Sequence, residues 1–425
     1  MKSDIAALNL ITDKVLAYRR PATVPAPKTD TAAKADFTFY EFFAGGGMAR
    51  AGLGLRWQCL FANDFDFKKS ATYADNWGPG TLVTKDVGKL DVKEVPGHAD
   101  LVWASFPCQD LSLAGMGAGL KGDRSGTFWP FWGVVKKLVE KKRGPRVIVL
   151  ENVIGTLTSH DGKDFTAIAD ALAEGGYKFG AVVIDAADFV PQSRPRLFII
   201  AVAKGATIPA RLLGDDATLL WHPKALRVAH LRLTGKAKDQ WLWWKLPAPP
   251  RRNSRFADLV EENPTGVNWH TPAETEKLLG MMSDLNAEKV AAAKRTGQML
   301  VGTAYKRTRI DTKDDAKVQR AEVRFDDIAG CLRTASGGSS RQLLVVVKGD
   351  TVRSRLFSTR EAARLMGLSD EYKLPKNYNE AYDLAGDGVA VPVVRYLAEH
   401  VLEPILVSNK PKVGDVSRNS VRSEH

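Results

Sequence analysis

The sequence has few cysteines and no long apolar run, and each scarcity argues against a class of protein. Only Cys59, Cys108 and Cys331 occur among 425 residues, so they cannot all pair, and none stands in a Cys-x-x-Cys arrangement. A disulfide framework and a cysteine-rich zinc site are therefore disfavoured, and no bound metal is expected. No apolar run reaches the roughly 18 residues of a membrane span. The N-terminal stretch lacks the core of a signal peptide, so we expect a cytoplasmic protein.

The charge of the chain is strongly positive and is concentrated in one segment. The formal net charge is +12 and the isoelectric point is about 9.4. Residues 204–324 contain 22 Lys and Arg against 14 Asp and Glu, so this segment carries most of the excess. Such a balance favours a polyanion as partner, although a merely basic soluble enzyme would look the same on charge alone.

Apolar stretches with strand character alternate with amphipathic helical stretches between residues 37 and 203. The predicted strands are 37–43, 58–64, 81–86, 100–106, 146–152, 179–186 and 196–203, and the clearest helices are 127–142 and 165–176. This alternation predicts an α/β fold with a doubly wound, Rossmann-like and mostly parallel sheet.

The alternation stops after residue 203, and the rest of the chain divides into further segments. Ser358, with Glu361 three residues later, predicts a capped helix, and the apolar stretch 386–406 predicts a last one. The predicted divisions are an N-terminal extension and linker (1–36), a first domain (37–203), a second and smaller domain (204–376), a C-terminal helix that returns to the first domain (377–408) and a disordered tail (409–425).

Glycines and acids follow the first three predicted strands, at the edge where parallel sheets bind ligands. FFAGGG (42–47) ends the first strand, and its glycines would let the backbone approach a ligand. Asp64, about 20 residues after these glycines, suits ribose hydroxyls, and Phe65 suits stacking on adenine. Asp86 suits an adenine amino group. The structural alternatives are a tight turn at the glycines, a helix cap at Asp64 and a solvated turn at Asp86.

The most specific string is SFPCQDLSLAG (105–115), which places Cys108 after a proline at the end of a predicted strand. A free cysteine is more often a small buried residue, but this string after a Phe-x-Gly-x-Gly strand resembles the DNA cytosine-C5 methyltransferases. Further segments of that family follow in its order. They are ENV (151–153), QSRPRLFII (192–200), RLFSTREAARLMGLSD (355–370) and GDGVAVP (386–392). Residues 204 to about 325 stand where the family keeps its target-recognition region.

The resemblance implies the S-adenosylmethionine methyltransferase fold, with a mixed sheet and a smaller target-recognition domain, and a DNA (cytosine-5-)-methyltransferase activity. Carbon 5 of cytosine is a poor nucleophile, and a thiolate added to carbon 6 gives it the electron density of an enamine. Cys108 is the expected nucleophile, because Cys59 and Cys331 are expected to be packing residues. Glu151 is the expected acid at N3, and it must keep its proton near neutral pH. Its alternative role is a helix cap.

Two arginines and a loop complete the expected machinery for a cytosine that has left the duplex. Arg196 is expected to donate to the cytosine O2, and Arg194 to hold a phosphate or the loop; a surface ion pair is the alternative for both. Residues 109–127, with five glycines, are the expected lid. The expected DNA contacts are Gln109, Ser112, Lys121, Arg124, Arg251, Arg252, Arg307 and Arg309.

The resemblance also implies S-adenosyl-L-methionine as cofactor. The cofactor residues carried over are Phe43, Ala44, Gly45, Gly47, Asp64, Phe65, Asp86, Val87, Pro107, Asp387 and Val389. The chain departs from the family at Asp387 and Gly388, where Asn and Ser are usual. Asp387 either meets the charged methionine end of the cofactor or caps a helix that begins near Val389.

Double-stranded DNA is the expected partner of a chain that we expect to be monomeric and away from membranes, with a cognate restriction endonuclease as a candidate companion. The nearest alternative is a tRNA cytosine-C5 methyltransferase of the same fold, but its Cys-Phe-Thr signature and short recognition region are missing. An NAD oxidoreductase leaves Pro-Cys-Gln, Glu-Asn-Val and Gln-x-Arg-x-Arg unexplained. A catalytically inactive DNA-binding relative is disfavoured by the intact Cys108 and Glu151.

Overall fold

A seven-stranded sheet with the strand order β3-β2-β1-β4-β5-β7-β6 organises the chain. The computed structural model describes residues 35–107, 127–310, 317–334 and 340–410. The strands are β1 (Phe37–Phe42), β2 (Trp57–Asp64), β3 (Leu82–Thr84), β4 (Leu101–Ala104), β5 (Val147–Val153), β6 (Tyr177–Asp185) and β7 (Pro195–Ala203). β7 is antiparallel to β5 and β6, and the other neighbours are parallel. The predicted strands and the mixed sheet are confirmed.

Helices cover both faces of this sheet, because its strands carry apolar side chains on both sides. In β1, Phe39 packs into the cluster on one face, and the next residue, Tyr40, packs into the cluster on the other. The helices next to the first five strands are α1 (Met48–Leu53), α2 (Phe67–Trp77), α3 (Phe128–Glu140) and α4 (Lys163–Glu174). α1 and α2 lie on one face, whereas α3 and α4 lie on the other, which confirms the doubly wound architecture.

Residues 204–260 pack against the large sheet. Their regular elements are β8 (Leu213–Gly214), α5 (Lys224–Leu231), α6 (Gly235–Asp239) and β9 (Trp243–Trp244). Trp221 and Trp244 are buried in the same cluster as α1, and Leu226 is buried in the cluster of α3 and α4. These tryptophans therefore stabilise the large unit of the chain.

A second, antiparallel sheet with the order β11-β10-β12-β13 lies later in the chain. Its elements are α7 (Pro272–Gly280), α8 (Asp284–Arg295), β10 (Met299–Ile310), β11 (Lys317–Arg324), β12 (Leu343–Lys348) and β13 (Thr351–Leu356). Side chains between Leu278 and Val347 form a buried cluster of their own here. The predicted segment 204–376 thus contains two environments, because residues 212–256 and 357–372 contribute to the cluster of the large sheet instead.

The outer half of β10 and β11 forms a two-stranded ribbon. β12 pairs with β10 only over residues 299–304, whereas β11 pairs with it over 303–310. Residues 305–310 and 317–322 therefore extend past the end of β12. A ribbon of this kind fits the major groove of B-DNA.

The C-terminal part returns to the large sheet through α9 (Thr359–Leu365), α10 (Tyr378–Asp387), α11 (Val391–Leu397) and α12 (Glu403–Ser408). The predicted capping box at Ser358 is confirmed, because its Oγ accepts from the Glu361 amide at 3.0 Å. The predicted helix start at 386 is wrong. Gly388 is extended, and the last helix begins at Val391, followed by Pro392, which suits a helix start.

The predicted linker and tail lie outside the described residues except at their inner ends. Within the part of the chain that is described, no helix is long and apolar enough to cross a membrane.

Candidate active site

The predicted catalytic and cofactor residues converge on one edge of the seven-stranded sheet. The carboxyl ends of β1, β2, β4 and β5 meet there because these strands are parallel, and the antiparallel β7 brings its amino end to the same edge. Phe43, Asp64, Pro107, Glu151 and Arg196 stand at or next to these strand ends. The chain order along the sheet reverses between β1 and β4, which is where open α/β sheets bind ligands.

Glu151 and Arg196 lie together in this site. Arg196 pairs with Val153 across β5 and β7, so its side chain is on the same face as that of Glu151. The Arg196 Nε lies 3.3 Å from the Glu151 Oε1, and both side chains are mostly buried. Glu151 is within a strand, so the alternative helix-cap role is wrong. The two side chains present a carboxyl and a guanidinium side by side at the sheet edge.

Asn152 fixes the segment that leads to the predicted nucleophile. Its Nδ2 donates to the Phe106 carbonyl at 3.1 Å, and the bond is buried. The end of β5 thereby holds the backbone just before Pro107. Cys108 lies outside the described residues, as do Gln109, Ser112, Lys121 and Arg124 and the predicted lid up to residue 126.

Arg194 is buried and binds backbone carbonyls. Its Nη2 donates to the Gly386 and Gly388 oxygens at 2.6 and 2.7 Å. Its Nη1 donates to the Leu332 oxygen at 3.0 Å. Burial, with a contribution from Arg196, lowers the pKa of Arg194 to about 10, so the guanidinium stays charged near pH 7. In this structure Arg194 ties together separate segments of the chain through these carbonyls.

Replacing Arg194 by Met should reduce stability more than activity, and the reverse should hold for Arg196→Met. Arg194→Met leaves three carbonyls without their donors, which should cost about 2–4 kcal/mol of unfolding free energy. Denaturant titration and methyl-transfer assays on both variants check this contrast. Equal loss of stability in the two variants would contradict the separate roles.

Cys331 lies beside the two arginines, although the sequence predicted a packing residue. It is half-buried, and its Sγ is 3.4 Å from the Arg194 Nη1. Burial raises the pKa of the Cys331 thiol, but the guanidinium groups of Arg194, Arg196 and Arg333 outweigh it and lower the pKa below its usual value. Cys59 is buried in the core, where burial raises its pKa, as expected for a packing residue.

The loop after β1 is a tight left-handed turn. Phe43, Gly45 and Gly47 have φ values of 57°, 54° and 79°. A Cβ on Gly47 would lie 2.3 Å from the Trp77 Nε1, so only glycine fits there. The Asp64 Oδ2 accepts from the Gly45 amide at 2.8 Å, which ties the loop to the end of β2. Burial raises the pKa of Asp64.

The described residues fit an adenosine-bearing ligand at this edge. Phe65 follows the buried Asp64, and 66% of its surface is exposed, as a stacking platform requires. Asp86 is exposed, but its Oδ1 accepts from the Gly88 amide at 2.8 Å within its own turn. Ala44, Val87 and Val389 are buried around the loop and the turn, and Pro107 is exposed.

Asp387 does not cap a helix. It is the last residue of α10, and the next helix has Ala390 at its N-cap with no side-chain bond. Its Oδ2 instead accepts from the Lys69 Nζ at 2.6 Å. Lys69 was not among the predicted site residues, and its position five residues after Asp64 is the signal in the sequence that points to it.

The four predicted recognition arginines that are described lie in two places. Arg251 and Arg252 are in the loop after β9, and Arg252 pairs with Asp327 at 3.4 Å. Arg307 and Arg309 are exposed on the ribbon of β10 and β11. The Arg309 Nε donates to Glu322 at 3.0 Å, and the Arg307 guanidinium lies 5.0 Å from the centre of the Tyr305 ring.

Comparison with known proteins places the whole arrangement in one family. The Type II methyltransferase M.NlaX of Neisseria lactamica is 27% identical, over 89% of this chain and 100% of its own length. The Type II methyltransferase M.HhaI of Haemophilus parahaemolyticus is 25% identical, over 85% of this chain and 93% of its own. The crystal structure of the S. pombe Dnmt2 methyltransferase shares the fold with a TM-score of 0.53 at 17% identity, covering 87% and 98% of the two chains. The sequence model for C-5 cytosine-specific DNA methylase matches residues 37–403, and the chain belongs to that family.

Proposed function

We propose that this DNA (cytosine-5-)-methyltransferase rotates a cytosine out of duplex DNA and methylates its carbon 5 through a covalent bond between Cys108 and carbon 6. The observation that carries the proposal is the Glu151–Arg196 pair at the sheet edge, next to the backbone that leads into Pro107 and Cys108. S-adenosyl-L-methionine, when bound, supplies an electrophilic methyl group on a sulfonium.

Three residues of the site act on the cytosine in this proposal. The Cys108 thiolate forms a bond to carbon 6 while N3 of the ring takes a proton from Glu151, which makes carbon 5 an enamine carbon. Arg196 orients Glu151 and donates to the cytosine O2. After methylation, the proton on carbon 5 passes to a base, for which water suffices, and the thiolate then leaves carbon 6 as N3 returns its proton to Glu151.

The cofactor is proposed to lie along the turn after β1. Asp64 would hold the ribose, Phe65 would stack on the adenine, and Asp86 with Val87 would face the base edge. The remaining proposed cofactor contacts are Phe43, Ala44, Gly45, Gly47, Pro107, Asp387 and Val389. Asp64 can serve while still accepting from Gly45, because a carboxylate has several acceptor sites.

Double-stranded DNA is the proposed substrate, in a monomeric enzyme of the cytoplasm. The names of the relatives are those of type II methyltransferases, and we propose a restriction-modification system with a cognate endonuclease as the setting. To test the proposed DNA substrate, the protein is expressed in cells that carry a plasmid, and the plasmid DNA is then sequenced after bisulfite treatment. The cytosines that resist conversion by bisulfite, which are the methylated ones, should all lie within one short recognition sequence. Methylation of tRNA but not of the duplex would favour the alternative substrate.

Residues 204–325 are proposed to recognise the DNA target sequence, with the ribbon of β10 and β11 in the major groove. If Arg307 reads a base, Arg307→Ala should reduce the discrimination between base pairs at one position by about 1–3 kcal/mol of binding free energy. If Arg307 contacts a phosphate, Arg307→Ala should weaken binding to all duplexes alike and make binding less dependent on salt. Binding to duplexes varied at each position, at several salt concentrations, distinguishes these outcomes. Arg295→Ala is the control, because Arg295 lies on α8 and pairs with Glu288. If Arg307→Ala binds DNA as the wild type does, the ribbon is not part of the DNA interface.

A further inference from the structure

The Lys69–Asp387 ion pair joins two elements beside the turn after β1. Lys69 is in the first turn of α2, five residues after Asp64, and Asp387 ends α10. Their Nζ and Oδ2 atoms are 2.6 Å apart. The next residue, Gly388, lies against Met48, since a Cβ on this glycine would be 2.1 Å from the Met48 Sδ. Met48 directly follows the glycine turn, so the pair lies beside the turn.

Neither charge is placed where its helix would favour it. A cation is disfavoured at a helix N-terminus and an anion at a C-terminus, yet Lys69 and Asp387 occupy these positions. Asp387 is also 49% exposed, and an ion pair so open to water adds little to folding stability. The helices therefore gain little from these two residues.

Lys69 stands among three carboxylates. Burial lowers the pKa of Lys69, but Asp387, Asp64 and Asp66 outweigh it and raise the pKa above its usual value. The Arg194 guanidinium donates to the carbonyls of Gly386 and Gly388, the residues before and after Asp387. Among the described residues, Lys69 is thus the cation that contacts the Asp387 side chain directly.

We propose that Lys69 is a cofactor-positioning residue that neutralises Asp387, so that Asp387 places no unpaired negative charge next to the methionine end of the cofactor site. The inference rests on the proposed function, because it takes S-adenosylmethionine to lie along the turn after β1. The methionine end carries a carboxylate as well as an ammonium, and an unpaired Asp387 would repel the carboxylate. The Asp–Lys pair thereby has no net charge, like the Asn and Ser that the family resemblance leads one to expect here.

Calorimetric titration with two ligands tests the pair. S-adenosylhomocysteine has the amino-acid end, whereas 5′-methylthioadenosine lacks it. Lys69→Met should raise the Kd for S-adenosylhomocysteine about tenfold, between the values expected for one charge–charge contact in water and near a protein surface, and leave 5′-methylthioadenosine unchanged. The double variant Lys69→Met/Asp387→Asn should bind S-adenosylhomocysteine within about threefold of the wild-type Kd, because coupled residues are non-additive.

A neighbouring pair supplies the matched control. Lys68 and Glu380 also join α2 to α10, at 3.0 Å, but Lys68 is 69% exposed. Lys68→Met should change neither Kd. The inference is overturned if the double variant binds as weakly as Lys69→Met, if both ligands weaken alike, or if Lys69→Met binds as wild type does. Failure of the wild-type chain to bind either ligand would instead refute the proposed cofactor, and the inference with it.

Discussion

Duplex DNA with 5-fluorocytosine at the target position should trap the wild-type chain covalently in the presence of cofactor, and Cys108→Ala should form no adduct. Fluorine cannot leave carbon 5 as a proton does, so elimination of the thiolate stalls after methylation. Cys108→Ala should lower kcat on ordinary duplexes on the order of 10⁴-fold or more, because the nucleophile of a covalent mechanism has no substitute. Denaturing electrophoresis of the adduct and single-turnover methyl transfer are the measurements.

Cys331 provides the control that this experiment needs. It is a second thiol at the site, with a pKa lowered by neighbouring arginines and its Sγ 3.4 Å from Arg194. Cys331→Ala should still form the adduct, and Cys108→Ala should still bind DNA. If Cys108→Ala still forms the adduct and Cys331→Ala does not, Cys331 is the nucleophile. Wild-type rates in Cys108→Ala would refute the covalent mechanism.

The parts of the structure that were predicted correctly depend on local patterns. Apolar runs predicted the strands of the large sheet, and Ser358 with Glu361 predicted a capping box that the structure confirms. The meeting of Glu151 and Arg196 could be expected once both were assigned to strand ends at the same edge. In these cases, residues close in sequence or a regular sheet determine the outcome.

The parts that were missed depend on contacts between distant residues. Lys69 and Asp387 are 318 positions apart, and the acceptors of Arg194 lie 138 to 194 positions away. No periodicity or propensity reports such pairs. The helix start at Val391 was placed five residues too early because the apolar pattern begins before the turn at Gly388 ends. A family resemblance supplied roles for single positions but not the side chains that compensate for departures from it.

Glu151→Gln should lower kcat by about 10²- to 10⁴-fold, the range of general acid catalysis, with the DNA Kd unchanged. The amide keeps the shape of the side chain, and its oxygen can still accept from Arg196. In the wild-type chain the Arg196 Nε lies 3.3 Å from the Glu151 carboxylate. It has no acidic proton to give to N3 when the thiolate adds to carbon 6. Exchange of the carbon 5 hydrogen with solvent deuterium should slow as well, because exchange also requires that addition.

Glu403→Gln is the matched control for this loss of a buried carboxyl group. Glu403 is 5% exposed, and its Oε1 accepts from the Trp57 Nε1 at 3.0 Å. Trp57 begins β2, so this glutamate lies at the opposite edge of the sheet from Glu151. Glu403→Gln should cost stability, by about 1–3 kcal/mol, and leave exchange and methyl transfer at wild-type rates. If Glu151→Gln retains the wild-type rate of exchange, Glu151 is not the acid at N3, and its contact with Arg196 only orients the arginine.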